Sequence, residues 1–138
     1  TGEAAGAPPS RAVGIGESVV HPMRRRTRVY VAGPISKGDV QENIRRGIEA
    51  GLHLLKAGYA PMIPHLSCYA QPDALLGTTA YEWWLELDLA FIEVCDAVIR
   101  LPGESAGADR ETAYAETVGV PVFLDLDALL NGVPPRQP

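Results

Sequence analysis

At 138 residues, 46% hydrophobic and 21% charged, the chain is long enough for one domain and too ordinary in composition for wholesale disorder. Its 12 Lys and Arg against 17 Asp and Glu give a net charge of −5, which excludes a protein that coats nucleic acid through a basic footprint but leaves room for a small anion held by local donors. Two cysteines, Cys68 and Cys95, are too few for a disulfide scaffold or a structural zinc site, and no apolar run approaches the roughly 20 residues of a membrane span, so a cytoplasmic setting is expected.

Residues 1–22 are rich in Ala, Gly, Pro and Ser without apolar periodicity, and Arg24, Arg25 and Arg26 follow as a short solvated run. Residues 1–26 are therefore expected to form a flexible N-terminal tail. From residue 27 strand and helix signals alternate. Arg28-Val-Tyr-Val-Ala is a β-branched and aromatic run closed by Gly33-Pro34, which predicts a strand and a turn. Asp39 with Glu42 three residues on makes a capping-box start. Ile44, Ile48, Leu52 and Leu55 then repeat at helical spacing as far as Gly58. Residues 59–63 predict a second strand and residues 64–78 a loop. Thr79 with Glu82 predicts another cap, followed by a helix carrying Trp84, Leu87, Asp88, Phe91 and Cys95 on one stripe. A third strand is expected over 96–101, a third helix from about Ala108 to Val118, a fourth strand over 120–124, and a short helical piece after it. The domain expected is 27–131, with 132–138 as a C-terminal tail. Such alternation with short linkers implies an α/β fold, a small doubly wound parallel sheet covered on both faces. Ligands of these sheets bind at the carboxyl ends of the strands.

The unusual residues cluster at those ends. Gly103-Glu-Ser105-Ala-Gly107 matches a G-x-S-x-G nucleophile elbow. An α/β-hydrolase needs an acid and then a His after that Ser, and no His follows His65, so acyl transfer by Ser105 is excluded. Two uses remain for the loop: a plain strand-to-helix turn, or an anion site where backbone N–H groups and the helix dipole converge beside the Ser hydroxyl. Glu111 falls on the apolar face of its helix with Ala115 and Val118, where a carboxylate is costly unless it has partners or a task. The helix N-terminus would favour its charge, as a nucleophile requires; the alternative is an exposed first-turn Glu. Asp88 stands in an aromatic stripe where Leu is the expected type. Burial there would raise its pKa and suit a general acid, the alternative being a hydrogen-bonded structural Asp. Two carboxyls converging on a sugar bond are the apparatus of glycoside cleavage. Tyr30, a core tyrosine by type, precedes the loop Ala32-Gly33-Pro34-Ile35-Ser36-Lys37-Gly38, which is not a Walker A, and Lys37 either meets a phosphate or sits in solvent. His65 reads as structural or peripheral. Trp83 and Trp84 wall a base pocket or belong to the core. No His, Cys or carboxylate cluster has metal spacing, and no G-x-G-x-x-G opens a helix, so neither a metal nor an organic cofactor is expected.

From about Arg28 to Phe123 the chain resembles the nucleoside 2-deoxyribosyltransferase superfamily. Within it, the chain is most similar to the (2′-deoxy)nucleoside 5′-monophosphate N-glycosidases. The segments that carry the resemblance are Val29-Tyr-Val-Ala-Gly-Pro-Ile, Asp88 eight residues before Asp96, and Ser105-Ala-Gly-Ala-Asp-Arg-Glu111 with Ala115. The resemblance implies a flavodoxin-like or Rossmann-like fold and an oligomer built on dimers, to whose interface Trp83 or Tyr81 would contribute. It implies Glu111 as nucleophile, Asp88 as acid and Tyr30 as an active-site tyrosine. Gly33, Ile35, Ser36, Lys37, Ser105 and Gly107 would line a sugar-phosphate cradle. Six residues before the nucleophile the transferases generally carry Asp and the nucleotide hydrolases Ser, and here the residue is Ser105. A hydroxyl at a helix N-terminus attracts a phosphate that an Asp would repel. The expected activity is hydrolysis of a nucleoside 5′-monophosphate to free base and sugar 5-phosphate. Base exchange between deoxynucleosides and a silent nucleotide-binding module are the alternatives. The expected partner is a small nucleotide, with no nucleic acid and no membrane.

Overall fold

The computed structural model describes residues 26–69 and 80–136. Strand β1 (Arg28–Ala32) is its centre. Val29, Tyr30, Val31 and Ala32 are each 0% exposed, as an apolar run without alternation requires when both faces of a sheet are covered. β2 (Ala60–Met62) pairs with it on one side and β3 (Ala97–Arg100) on the other, and β4 (Val122–Phe123) pairs with β3. The order is β2-β1-β3-β4 and every pairing is parallel, so the fold is the doubly wound α/β sheet expected.

Helices α1 (Val40–Lys56) and α4 (Leu126–Gly132) close one face over Val29, Val31, Ala97 and Ile99. Helices α2 (Ala80–Glu93) and α3 (Ala106–Thr117) close the other over Tyr30, Ala32 and Val98. The chain leaves β1 towards β2 and leaves β3 towards β4. A crevice therefore opens between β1 and β3 at their carboxyl ends.

Local chemistry accounts for the elements. Asp39 caps α1, its carboxylate accepting from Glu42 N–H at 3.1 Å, and Gly58 leaves the helix at φ +104°. The buried line of α1 is Ile44, Gly47, Gly51 and Leu54, whereas Leu52 and Leu55 of the expected stripe are exposed. Its glycines mark the contact: a Cβ at Gly47 would lie 2.2 Å from Cγ of His65, and one at Gly51 2.1 Å from Cδ1 of Ile63. α2 is likewise turned from its expected stripe. Ile92 is buried while Leu87 and Phe91 are exposed, because large apolar residues occur all round the helix and set no single rotation. The cap expected at Thr79 lies outside the described residues. β4 is shorter than expected: Val120 N–H closes the end of α3 on Ala115 O at 2.8 Å, and Pro121 has no N–H to give.

The stretch expected as a C-terminal tail is described as far as Arg136, where it is tied to the body. Tyr59 donates to Val133 O at 2.8 Å, Thr27 to Pro134 O at 3.2 Å, and Arg136 pairs with Asp96 at 3.0 Å. Of the N-terminal tail only Arg26 is described, donating to Leu55 O and Tyr59 O. Among the described residues no helix is long and apolar enough to cross a membrane.

Candidate active site

Strand alternation sends Tyr30 from β1 to the α2–α3 face, and there its hydroxyl donates to Oε2 of Glu111 at 2.8 Å, a buried contact between side chains 81 residues apart. Glu111 is 8% exposed, on α3 beside the buried Ala108 and Ala115. Asp88 of α2 closes the group, its carboxyl beside both Tyr30 and Glu111. Three polar side chains from three elements thus meet against one apolar core. These are the three residues that the sequence analysis grouped, and the fold brings them together.

Burial raises every one of their pKa values. Asp88 is pushed up to about 6 by desolvation, with its bonds to Glu111 and Tyr30 holding it down. Glu111 is pushed up to about 7, first by desolvation and then by the Asp88 charge, while the Tyr30 hydroxyl and Arg100 oppose the rise. Tyr30 is raised far above its ordinary value by burial and by both carboxylates, so it remains a hydrogen-bond donor. The expectation that the helix N-terminus keeps Glu111 ionised is therefore corrected. α3 begins at Ala106, two residues earlier than expected, which places Glu111 in the second turn, where the dipole has faded and burial decides. Two carboxyls in contact cannot both ionise cheaply, so near neutrality the pair holds one proton between them.

The loops after β1 and β3 form the rim. Gly33 is buried, and a Cβ there would press on Leu101 at 3.0 Å; Ile35 is half-buried; Ser36 is exposed. Asn43 of α1 donates to the carbonyls of Ile35 at 3.1 Å and Lys37 at 2.7 Å, which fixes the first loop. Lys37 is not a free cation: its ammonium meets Glu104 at 3.1 Å across the rim, both side chains being well exposed. Ser105 is the N-cap of α3, its Oγ accepting from Ala108 N–H at 3.0 Å, so its own O–H remains available to a ligand. Gly107 faces the hydroxyl of Tyr81, which would lie 3.9 Å from a Cβ at that position. Tyr81 and Trp83, expected at an interface, are 58% and 55% exposed.

His65 is fully buried against Gly47, burial pushes its pKa down, and neither ring nitrogen has a partner among the described residues. Among the described residues no group of three or more His, Cys, Asp and Glu could hold a metal ion. A cavity of about 350 Å³ lies on the other face of the sheet, between α1 and α4, with Leu54, Ile99, Leu101 and Leu126 in its walls. It contains no buried titratable group, whereas the acids lie on the opposite face. Arg100, Asn43, Glu104 and Tyr81 are site residues that sequence reasoning missed. Arg100 alone carried a signal, a cation in an apolar strand two residues after Val98 and so on the same face.

A family model described as a domain of unknown function, DUF4406, matches residues 27–124. No curated protein matches the chain. Among solved structures, a 2-deoxyribosyltransferase from the psychrotolerant bacterium Bacillus psychrosaccharolyticus superposes with a TM-score of 0.57 at 18% identity, covering 70% of this chain and 69% of that one. The architecture, four parallel strands between helices, is shared between them.

Proposed function

The chain belongs to the DUF4406 family, and we propose that it cleaves the N-glycosidic bond of a nucleoside 5′-monophosphate, releasing free base and a (deoxy)ribose 5-phosphate. Of the two placements of the proton that the pair shares, the reactive one puts it on Asp88 and leaves Glu111 ionised, although the higher pKa of Glu111 makes this the less populated of the two. Glu111 then attacks the anomeric carbon as the bond from that carbon to the base nitrogen breaks, and Asp88 gives its proton to the departing base. Water then opens the glycosyl ester on Glu111 and returns a proton to Asp88, for net retention. Tyr30 holds one oxygen of Glu111 and keeps the carboxylate aimed. No step calls for a metal or an organic cofactor.

The observation that carries this reading is the Tyr30–Glu111 hydrogen bond with Asp88 against both. The free O–H of Ser105 at the start of α3 supports a phosphate as the anion. Incubation with a panel of nucleoside monophosphates and nucleosides, with free base read by chromatography, tests it. Base released from monophosphates, and lost on Glu111→Gln, supports the reading; an unchanged rate in that variant refutes it.

One observation favours a second reading, base exchange between unphosphorylated deoxynucleosides. Glu104 neutralises Lys37 and brings negative charge to the rim beside Ser105, which weakens the attraction for a phosphate. Addition of a second base separates the two: exchange yields a new nucleoside, whereas hydrolysis yields only sugar and base. Either way the working unit is a homo-oligomer, in which the exposed Trp83, Leu87 and Phe91 of α2 and Val94 just after it are covered by another copy.

A further inference from the structure

Arg100 is the last residue of β3 and lies beside Ala32 in the register, two places beyond the pairing of Tyr30 with Val98. Alternation puts it on the face that carries the acids. Its side chain is only 14% exposed, which is unusual for an arginine and demands partners. It has three. One guanidinium nitrogen donates to the carbonyl of Leu101. The other donates to Gly103 O at 3.0 Å and to the carboxylate of Asp109, also at 3.0 Å. Leu101 and Gly103 belong to the loop from β3 to α3, and Gly103 turns it at φ +116°, where its missing Cβ lets Pro34 of the first loop approach. Asp109 stands two residues before Glu111 on α3.

We infer that Arg100 is a positioning residue of this site: its guanidinium fork ties the Gly103 loop and the start of α3 to the sheet, and so aims Glu111, with its charge paired to Asp109. A planar fork suits this task, because three acceptors in different directions are met at once and a lysine ammonium on its flexible stem would not hold them. The groups that face Glu111 are Tyr30 from β1, Asp88 from α2 and Arg100 from β3, whereas Asp109 and Arg110 on its own helix are exposed. Of these, Arg100 and Tyr30 favour the ionised carboxylate, and Asp88 opposes it.

The role rests on the proposed function only in taking Glu111 as the attacking group, so its test needs a readout that survives without turnover. The ¹³C resonance of the Glu111 carboxyl, titrated in the wild type and in Arg100→Met, Arg100→Gln and Arg100→Lys, is that readout. In the Met and Gln variants the titration should rise. Their kcat should fall by about 10- to 100-fold, with KM changed less than about threefold. Arg100→Lys should keep the titration near that of the wild type and still lose rate, since charge is retained and the fork is not. A folded Met or Gln variant with the wild-type Glu111 titration overturns the inference, as does a Lys variant with wild-type kcat. If Met and Gln fail to fold, the Lys variant decides. If no nucleotide or nucleoside is turned over at all, the proposed function fails while the carboxyl titration still decides the role of Arg100.

Discussion

Glu111 and Asp88 bind their protons more tightly in the folded chain than in the unfolded one, where carboxyls titrate near 4. Their contribution to stability is therefore complete below about pH 4 and is lost as pH rises through about 6 and about 7. Glu111→Gln keeps the shape and removes the charge. It should abolish turnover yet raise folding stability at pH 8 by on the order of 1–3 kcal/mol relative to its effect at pH 4, read by urea denaturation at both values. Catalysis by a pair that holds one proton should show a bell-shaped pH profile, with limbs near about 6 and about 7. Tyr30→Phe removes the donor to Glu111. The rate should fall about 10- to 100-fold, the loss of a hydrogen bond to a charged group, and the Glu111 titration should move upwards. At this scale the sequence was informative wherever a polar residue stood in an apolar pattern, as at Asp88 and Glu111. It was silent on the bond between Tyr30 and Glu111, because no local signal joins positions 81 apart.

The strand-helix alternation was legible because caps and glycine stops are local: Asp39, Gly58 and Gly119 act where their chemistry says they should. Helix rotation was not. In α1 the contact face is marked by its smallest residues, since close approach to His65 and Ile63 matters more there than apolar bulk. Gly47→Ala should cost stability on the order of 1 kcal/mol net, read as a lower urea midpoint, because overpacking against the His65 ring outweighs the helix propensity gained. The start of α3 separates two tasks of one residue. Glycine is nearly as good an N-cap as serine, so Ser105→Gly should leave the fold within a few tenths of a kcal/mol. If its hydroxyl holds the 5′-phosphate, KM for the monophosphate rises about tenfold while KM for the nucleoside stays put.

Across the whole molecule, the order β2-β1-β3-β4 brings the loops after β1 and β3 together, so that residues from β1, α2 and α3 share one crevice. The exposed apolar side of α2 runs along the helix that supplies Asp88, and light scattering should report a smaller species for Trp83→Glu than for the wild type. The chemistry itself is tested most directly by intact-protein and peptide mass spectrometry after incubation with a nucleoside and its 5′-monophosphate fluorinated at C2′. The fluorine draws electrons from the anomeric carbon and slows release of the sugar. A sugar-phosphate adduct on the peptide containing Glu111, absent in Glu111→Gln, is the expected result. Base released at full rate with the peptide unmodified, or an adduct on Asp88 instead, would contradict attack by Glu111.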